Sequence, residues 1–480
     1  MNRFIKNKSS LWLSVAVALW LGSTVSVFGQ VSSKPTNPPQ KPLLQPIVVQ
    51  TDKTNSSQPT GAGPQKSAAP LVTKTGSSSP TAVVPRKTSF PVLADVAIPG
   101  YSGILVESVD GNVVLDSASN FPFNPASNVK IATAYAVLKT FGPDYRFPTS
   151  FWTDGQLDQA TGTLYGNLYV SGRDPMFSSE HAVSVAAELN RLGVRSITGD
   201  LIVTDNFAMN YSTQAQYSGN ALLAVLNSAK RSAAATRAWN NYLISSRKSA
   251  VSVPSVAVTG GVYVQALPTN AKLVFSHESA PMREILKVTL CYSNNFLSER
   301  LGDMLGGPYA VARIVQQGGQ IPAEEFYIQT ASGLGINRVT PRAMMKLLRA
   351  LRADLAKNKM SYTDIMPVAG IDKGTLEGRF DTDFARGSVV GKTGTLGQTD
   401  GGVSSLAGEI QTRNGKLLFV IFNQRGGVQR FRAFQNSLVS LIQGQMGGAS
   451  PMGYNEIPLD VRLATTRITY PDTRARVNEE

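Results

Sequence analysis

The sequence contains very little cysteine and histidine. Its 480 residues include one cysteine, Cys291, and two histidines, His181 and His277. A single cysteine excludes an intrachain disulfide and any zinc or iron–sulfur site built from clustered cysteines. Two histidines are too few for a multi-histidine metal site, and they leave little room for Ser-His-Asp chemistry. We therefore predict no metal and no cofactor, with Cys291 in the core and both histidines at the surface or in helix caps.

Acidic residues are also scarce, at 32 Asp and Glu against 46 Lys and Arg, which gives a net charge of +14. An excess of this size can indicate nucleic-acid binding. However, residues 1–90 hold ten of the cations and one of the anions, and the rest of the chain holds 36 and 31. The remainder is only mildly basic, and we predict no nucleic-acid partner.

Residues 1–29 have the pattern of an export signal. Three cations precede the apolar run 11–21, and small residues follow it, with a cleavage point before Gln30. An uncleaved anchor helix is the alternative, because 11–28 is about long enough to span a bilayer. Under either interpretation the chain is exported to the periplasm or cell envelope, and only its N-terminal segment contacts a membrane.

Residues 30–95 are predicted to be a disordered linker. Ten of the 27 prolines lie within 30–90, among Ser, Thr, Gln, Gly and Lys. Such a composition cannot bury enough apolar surface to fold. Its lysines could contact anionic lipid or cell-wall polymers, but they are spaced rather than clustered, which favours a solvated linker.

The rest of the chain is long enough for a large core and shows strand and helix patterns. Residues 96–148 and 278–447 are predicted to form one discontinuous α+β domain, 149–277 a domain inserted into it, and 448–480 a tail. Asn124-Pro125 is expected to cap a helix. Other predicted elements are a hairpin around Asp110-Gly111, a helical stretch over 281–305 broken at 292–295, helices at 341–356 and 428–443, and strands at 387–395, 402–411 and 416–423.

Three short motifs carry chemistry: Ser127-Asn128-Val129-Lys130 (S-x-x-K), Ser293-Asn294-Asn295 (S-x-N) and Lys392-Thr393-Gly394 (K-T-G). No single one is specific, because each pattern occurs a second time, at 245–248, 218–220 and 74–76.

The context of the motifs separates the two sets. Ser127 opens a well-patterned helix, whose N-terminal N–H groups are directed at the serine, and a spacing of three puts Lys130 on the same helix face. Residues 74–76 lie in the predicted linker, and no clear apolar helix follows 245–248. The order of the motifs is also kept by a variant that uses Ser218. We favour Ser293, because it lies between two good helical segments.

On these motifs the chain resembles the penicillin-binding protein 4 type D-alanyl-D-alanine carboxypeptidase/endopeptidase family, peptidase family S13. The resemblance covers roughly 98–445. It is carried by the stretches ESAPMREILKVTLCYSNNFLSERL, TASGLGINRVTP, MPVAGIDKGTLEGRF and GKTGTLGQTDGGVSSLAGEI. It implies a serine β-lactamase/penicillin-binding transpeptidase-like α+β fold, in which an antiparallel sheet is flanked by helices, with a helical subdomain and an inserted α/β domain.

The chain departs from the family pattern in two places. Ser332-Gly333-Leu334 keeps the core of an Asp-Gly-Ser-Gly-Leu-Ser stretch, but Thr330 and Ala331 replace Asp-Gly, and Gly335 replaces the last Ser. The gap of 166 residues between Ser127 and Ser293 is shorter than two inserted domains need. We expect one full inserted domain and a reduced or missing second one.

The resemblance implies a role for each motif residue. A serine hydroxyl needs a neighbouring base, and Lys130 can act as one if burial or Lys392 lowers its pKa. Ser127 would attack the amide between two D-alanines, with the backbone N–H groups of Ser127 and Thr395 as oxyanion donors. The predicted catalytic residues are Ser127, Lys130 and Ser293, and the predicted substrate-binding residues are Asn295, Lys392, Thr393, Gly394 and Thr395. The implied partners are peptidoglycan peptides that end in D-Ala-D-Ala or are cross-linked, with β-lactams as covalent inhibitors.

Two alternatives remain open. A β-lactamase would use the same acyl chemistry and would turn penicillin over rapidly instead of being stably labelled. The insertion of about 130 residues disfavours it, because a small antibiotic needs no extra domain. A non-catalytic peptidoglycan-binding protein of the same fold is the second alternative. The presence of every reactive side chain argues against it.

Overall fold

The computed structural model describes residues 86–250 and 252–471. The predicted export signal, most of the predicted linker and the last nine residues of the predicted tail lie outside this part. Within it, no helix is both long and apolar enough to cross a membrane.

Within the described residues, a five-stranded antiparallel sheet, called the central sheet below, is packed on both faces. Its strands follow the order Val389–Leu396, Val403–Thr412, Gly415–Gln424, Tyr101–Ser108 and Val113–Ser117. The predicted hairpin at 110–111 and the three predicted C-terminal strands are all present. Because Tyr101–Ser108 pairs with Gly415–Gln424, segments from distant parts of the sequence form one sheet.

Helices cover both faces of this sheet, which explains the nearly continuous apolar sequence of Gly415–Gln424. Leu418, Val420 and Phe422 enter the core on one face, and alternate residues of the strand enter the core beneath helix Val428–Gln445 on the other. The larger core belongs to a helical layer made of Val129–Phe141, Met282–Cys291, Asn295–Met304, Pro308–Gly319 and Pro341–Lys357. The molecule is therefore an α+β fold.

The helix predicted after Asn124-Pro125 begins later than expected. A 3₁₀ turn, Ala126–Asn128, precedes the α-helix Val129–Phe141. Asn124 Oδ1 accepts a hydrogen bond from the Ala126 N–H at 3.0 Å, so this side chain contacts the first residue of the 3₁₀ turn and does not cap the α-helix.

Residues 148–278 form three helices and most of the strands of two further sheets. Helices Ala215–Leu226 and Ala233–Ser246 fill the stretch 220–250, which had no clear sequence pattern, and the third is Ser179–Arg191. The larger sheet contains, in order, the strands Val262–Val264, Leu201–Val203, Leu168–Gly172, Pro148–Thr153, Lys272–Glu278 and Arg467–Thr469. The smaller sheet contains, in order, Gln156–Asp158, Thr163–Tyr165, Ser196–Ile197 and Ala257–Val258.

Segments at both ends of the described chain are packed onto this framework. Lys87 forms a bridge with Asp116, and Leu93 in the short helix Pro91–Ala94 is buried. Near the other end, a helix at Leu459–Leu463 leads to the strand Arg467–Thr469, which pairs with Lys272–Glu278. The C-terminal segment thus returns across the molecule and completes an edge of the larger sheet.

The expectation that both histidines lie at the surface or in caps is wrong for His277 and right for His181, which caps a helix. His181 Nδ1 accepts a hydrogen bond from the Ser178 N–H at 3.2 Å at a helix start, but its side chain is buried. His277 is fully buried, and neither of its ring nitrogens has a partner among the described residues. The two rings lie 4.9 Å apart, and burial lowers the pKa of both.

Candidate active site

Ser127 lies in the middle of the 3₁₀ turn at the start of helix Val129–Phe141. The preceding residue, Ala126, has a φ of 47°, which is a strained conformation for a residue with a side chain. The turn is fixed from the central sheet, because Ser405 Oγ donates to the Pro125 carbonyl at 2.6 Å. Ser127 is thus held on a rigid support and remains partly accessible.

Lys130 lies one turn further along, and its side chain is almost fully buried. Its Nζ is 3.1 Å from Ser127 Oγ, 2.7 Å from Asn295 Oδ1 and 2.6 Å from the Ser332 carbonyl oxygen. Burial lowers the pKa of Lys130 to about 7, although the carboxylate of Glu299 opposes this change. Burial alone is therefore enough to make Lys130 a base near neutral pH.

The three neighbours of Lys130 Nζ determine how its neutral form is oriented. Asn295 Oδ1 and the Ser332 carbonyl oxygen are acceptors only, so they take the two hydrogens of a neutral amine. The remaining lone pair then faces Ser127 Oγ and can accept the hydroxyl proton. This is the arrangement that an activated serine requires.

Ser293 lies in the break between helices Met282–Cys291 and Asn295–Met304, as the sequence pattern predicted. It has a φ of 54°, in the left-handed region that a serine rarely adopts. Asn294 Oδ1 caps the second helix by accepting from the Leu297 N–H at 3.0 Å. The break exposes Ser293 and Asn295 beside the Ser127 turn.

Lys392 extends from strand Val389–Leu396 towards Ser293. Its Nζ donates to Ser293 Oγ at 2.8 Å and to the Thr393 carbonyl oxygen at 2.7 Å. Burial, and after it the nearby Lys130, keep the pKa of Lys392 well below its usual value. Lys130 therefore contributes, after burial, to the low pKa of Lys392. The pKa of Lys130 itself is lowered by burial and not by Lys392.

Gly394 permits the close approach of this strand to the Ser127 turn. A Cβ at this position would lie 2.1 Å from Ser405 Oγ and 2.9 Å from the Ser127 nitrogen, so no side chain fits. Thr393 is largely buried, whereas Thr395 is exposed. All eight predicted site residues thus lie on three adjoining segments: the 3₁₀ turn and its helix, the helix break, and the strand.

The structure adds two side chains that the motifs did not reveal. Glu299 accepts from the Ala331 and Ser332 N–H groups at 3.1 and 2.9 Å, and so positions the carbonyl group that contacts Lys130. Its place one turn after Asn295 is the only sequence signal for it. Arg432 Nη2 donates to Thr395 Oγ1 at 3.0 Å from helix Val428–Gln445, and no sequence pattern indicated this contact.

At two of the departures from the Asp-Gly-Ser-Gly-Leu-Ser stretch, Ala331 and Gly335, the backbone makes the contacts, whereas the Thr330 hydroxyl bonds to the Leu334 carbonyl and the Gly333 N–H. The Ala331 carbonyl accepts from Thr133 Oγ1 and Ser298 Oγ, so the side chain at this position is not used. The Gly335 carbonyl accepts from Asn124 Nδ2 at 2.9 Å. Gly333 has a φ of 88°, and a Cβ there would lie 2.0 Å from the Ala126 carbonyl oxygen.

The second copies of the motifs lie elsewhere. Ser245 is near the end of helix Ala233–Ser246 and donates to Asp460, and Ser218 lies within helix Ala215–Leu226, where its Oγ accepts from the Met209 N–H. The copy at 74–76 lies outside the described residues. Cys291 is buried, as predicted, and burial raises its pKa to about 12. Within 86–250 and 252–471, no group of three or more His, Cys, Asp or Glu side chains could hold a metal ion.

Solved structures with a similar fold include an endopeptidase acylated by penicillin G and a penicillin-binding protein. A penicillin G-acylated predatory endopeptidase of Bdellovibrio bacteriovorus, in complex with its immunity protein, superimposes with a TM-score of 0.66 at 21% identity, over 77% of this chain and 99% of that one. Penicillin-binding protein 4 (DacB) of Haemophilus influenzae gives a TM-score of 0.54 at 22% identity, over 73% and 98%. The predicted fold is therefore confirmed.

Sequence comparison assigns the family. A D-alanyl-D-alanine carboxypeptidase of Actinomadura sp. (strain R39) is 25% identical over 473 residues, which cover 75% of this chain and 85% of that protein. The model of the D-Ala-D-Ala carboxypeptidase 3 (S13) family matches residues 91–220 and 221–443. This match covers most of the chain, including the Ser127 turn, the helix break and the Lys392 strand, and the chain therefore belongs to the S13 family of D-Ala-D-Ala carboxypeptidases.

Proposed function

We propose that this chain is a serine-type D-Ala-D-Ala carboxypeptidase, DD-endopeptidase or both, which acts on peptidoglycan stem peptides in the cell envelope. The observation that carries the proposal is the contact between Lys130 Nζ and Ser127 Oγ, together with the two acceptors that leave the lone pair of a neutral Lys130 facing the serine. Family membership supports the reaction class.

In the proposed reaction, Lys130 takes the proton of Ser127 as Oγ bonds to the carbonyl carbon of the penultimate D-alanine. The backbone N–H groups of Ser127 and Thr395 stabilise the oxyanion, and losing one such donor typically costs about 10²–10³ in rate. The C–N bond then breaks, and Ser293, hydrogen-bonded to Lys392, passes a proton to the leaving amine. Water hydrolyses the acyl-enzyme and regenerates Ser127.

The remaining residues would hold the substrate. Asn295, anchored by Lys130, presents its amide to the peptide backbone. Lys392, Thr393 and Thr395 line the position of the terminal carboxylate, and Gly394 keeps the strand close to Ser127. The low pKa of Lys392 weakens its positive charge, so the always-charged Arg432 on Thr395 supplies a further cation for this carboxylate.

The leaving group of the carboxypeptidase reaction is D-alanine, which has a carboxylate beside its new amine. The leaving group of the endopeptidase reaction has one too when the cross-link is made to a D-centre. The same carboxylate subsite therefore serves both reactions. β-Lactams would acylate Ser127 in the same way. A β-lactamase would release the antibiotic quickly. Stable labelling by penicillin together with peptide hydrolysis distinguishes the two.

The test is incubation of the purified protein with pentapeptide muropeptides and with cross-linked muropeptide dimers. Release of D-alanine shows the carboxypeptidase reaction, and conversion of dimers to monomers shows the endopeptidase reaction. Absence of both products, or rapid hydrolysis of penicillin without either, would contradict the proposal.

A further inference from the structure

A cavity of about 770 Å³ lies between the inserted sheets and the helical layer, away from the Ser127 turn. Aromatic side chains of Phe141, Tyr145 and Phe147 form one wall, where the rings of Tyr145 and Phe147 meet edge to face at 5.1 Å. Polar side chains of Arg173, Asp205 and Gln265 line it as well. Its volume lies within the range of about 300–1,000 Å³ that ligand sites occupy.

One face of helix Asn295–Met304 connects this cavity to the candidate active site. Phe296 contacts Tyr211 edge to face at 5.5 Å, Arg300 donates to the Asn206 carbonyl oxygen at 3.0 Å, and Met304 lines the cavity. These three positions are four residues apart and share a helix face. The loop that carries Asn206 and Tyr211 therefore follows the helix from Asn295 to the cavity.

The distance along this path matches the length of a stem peptide. Met304 is nine positions after Asn295, which corresponds to about 14 Å of helix. In a pentapeptide stem, four residues separate the sugar from the bond between the two D-alanines, and an extended chain of four residues spans about 13–14 Å. With the scissile bond at Ser127 and Asn295, the sugar end of the stem reaches the cavity.

The lining has the chemistry that a neutral sugar requires. The aromatic wall can pack against the C–H face of a pyranose ring, and Tyr145 is exposed enough to do so. Arg173, Asp205 and Gln265 are exposed, so their donors and acceptors can reach hydroxyl and acetamido groups. One cation and one anion balance each other, which favours a neutral polar ligand over a polyanion.

We propose that this cavity is a glycan subsite that binds the N-acetylglucosaminyl–N-acetylmuramyl disaccharide at the base of the stem peptide. The inference rests on the proposed function, since it places the peptide end of the same molecule at Ser127. It assigns the inserted domain a direct part in substrate recognition.

The first experiment compares D-alanine release from a free pentapeptide and from the same peptide carrying the disaccharide. For the unaltered full-length protein, we expect kcat/KM to be at least tenfold higher for the disaccharide-peptide. Tyr145→Ala and Gln265→Ala should lower kcat/KM for the disaccharide-peptide towards kcat/KM for the free peptide. They should change kcat/KM for the free peptide by no more than about twofold. Tyr263→Ala is the matched control, because Tyr263 is exposed on a neighbouring strand and does not line the cavity.

The second experiment measures binding of the peptide-free disaccharide by calorimetry, which does not depend on catalysis. We expect millimolar or tighter binding that Gln265→Ala weakens at least fivefold and Tyr263→Ala does not change. Equal kcat/KM for the two peptides together with no disaccharide binding would overturn the glycan subsite, while hydrolysis of the free peptide would leave the proposed function standing. If the unaltered protein binds the disaccharide but hydrolyses neither peptide, the result would contradict the proposed function alone.

Discussion

Lys130 Nζ donates a hydrogen bond to Asn295 Oδ1 at 2.7 Å, and this contact joins the helix that follows Ser127 to the helix that follows Ser293. The two residues are 165 positions apart in the sequence. Because the amide oxygen can only accept, it holds one hydrogen of a neutral Lys130 and helps to direct the lone pair at Ser127. The proposed mechanism and its pH dependence follow from this geometry.

We expect activity to depend on a group with a pKa near 7, because Lys130 acts as a base only when it is unprotonated. Below that pH, kcat/KM should fall about tenfold per unit as the lysine becomes charged, and above it kcat/KM should level off. Glu299→Gln removes the anion that favours the charged form, so the fall should move to lower pH. Asp303→Asn, on the same helix and exposed, is the control. An unchanged profile in Glu299→Gln would refute this assignment.

Gly333→Ala should disable the site through the backbone. The position has a φ of 88°, and a Cβ would lie 2.0 Å from the Ala126 carbonyl oxygen, so the turn that carries Ser127 must move. We predict that the second-order rate constant for acylation by penicillin falls at least 100-fold, since small misplacements of a reacting group cost that much. Gly378→Ala, where a Cβ meets nothing within 4 Å, should leave the rate unchanged.

Arg432→Gln should weaken recognition of a terminal carboxylate. Arg432 donates to Thr395 Oγ1 and forms no ion pair with any residue that the structure describes. A hydrogen bond to a charged group contributes about 1.5–3 kcal/mol, so kcat/KM for a D-Ala-D-Ala peptide should fall roughly 10- to 100-fold.

A substrate ending in a carboxamide serves as the reference for Arg432, and its kcat/KM should change little in the variant. Arg430→Gln, on the exposed part of the same helix, is the matched control. A loss of the same size for both substrates would show that Arg432 acts on the strand rather than on the carboxylate.

Asp174→Asn should stabilise the protein above neutral pH. The carboxyl of Asp174 is fully buried, its Oδ2 has no partner among the described residues, and burial raises its pKa from 3.8 to about 7. Between these two values the folded state keeps a proton that the unfolded state releases, so the free energy of unfolding falls as pH rises and the loss is complete above pH 7. Asparagine cannot ionise and avoids this loss of up to about 4 kcal/mol.

Urea unfolding of the Asp174→Asn variant and the unaltered protein at pH 4.5 and pH 8 checks this prediction. The variant should gain more stability at pH 8 than at pH 4.5. An equal difference at the two pH values would show that the carboxyl is not protonated in the folded state.

Local sequence patterns predicted much of the catalytic framework. The break at 292–295 was visible because two apolar helical patterns stop and restart there, and the C-terminal strands were visible as apolar runs between turn residues. Ser127 and Lys130 were recognised because their spacing on a helix is itself part of the chemistry. These features depend on neighbouring residues in the sequence.

Features that depend on distant contacts could not be predicted. The three-residue strand Arg467–Thr469 exists only because an edge of another sheet is available to it. The burial of His277 is set by elements packed around it, and a single histidine has no pattern that would indicate this. The contact of Arg432 with Thr395 depends on the packing of the last long helix beside the central sheet.

The most direct test of the account is to locate the penicillin adduct by mass spectrometry of peptides from the acylated protein. We predict one acylated peptide, which contains Ser127, no adduct in Ser127→Ala, and unchanged labelling in Ser245→Ala, which removes the serine of the second S-x-x-K sequence. An adduct on another serine, or labelling that survives Ser127→Ala in the folded protein, would contradict the assignment of Ser127 as the nucleophile.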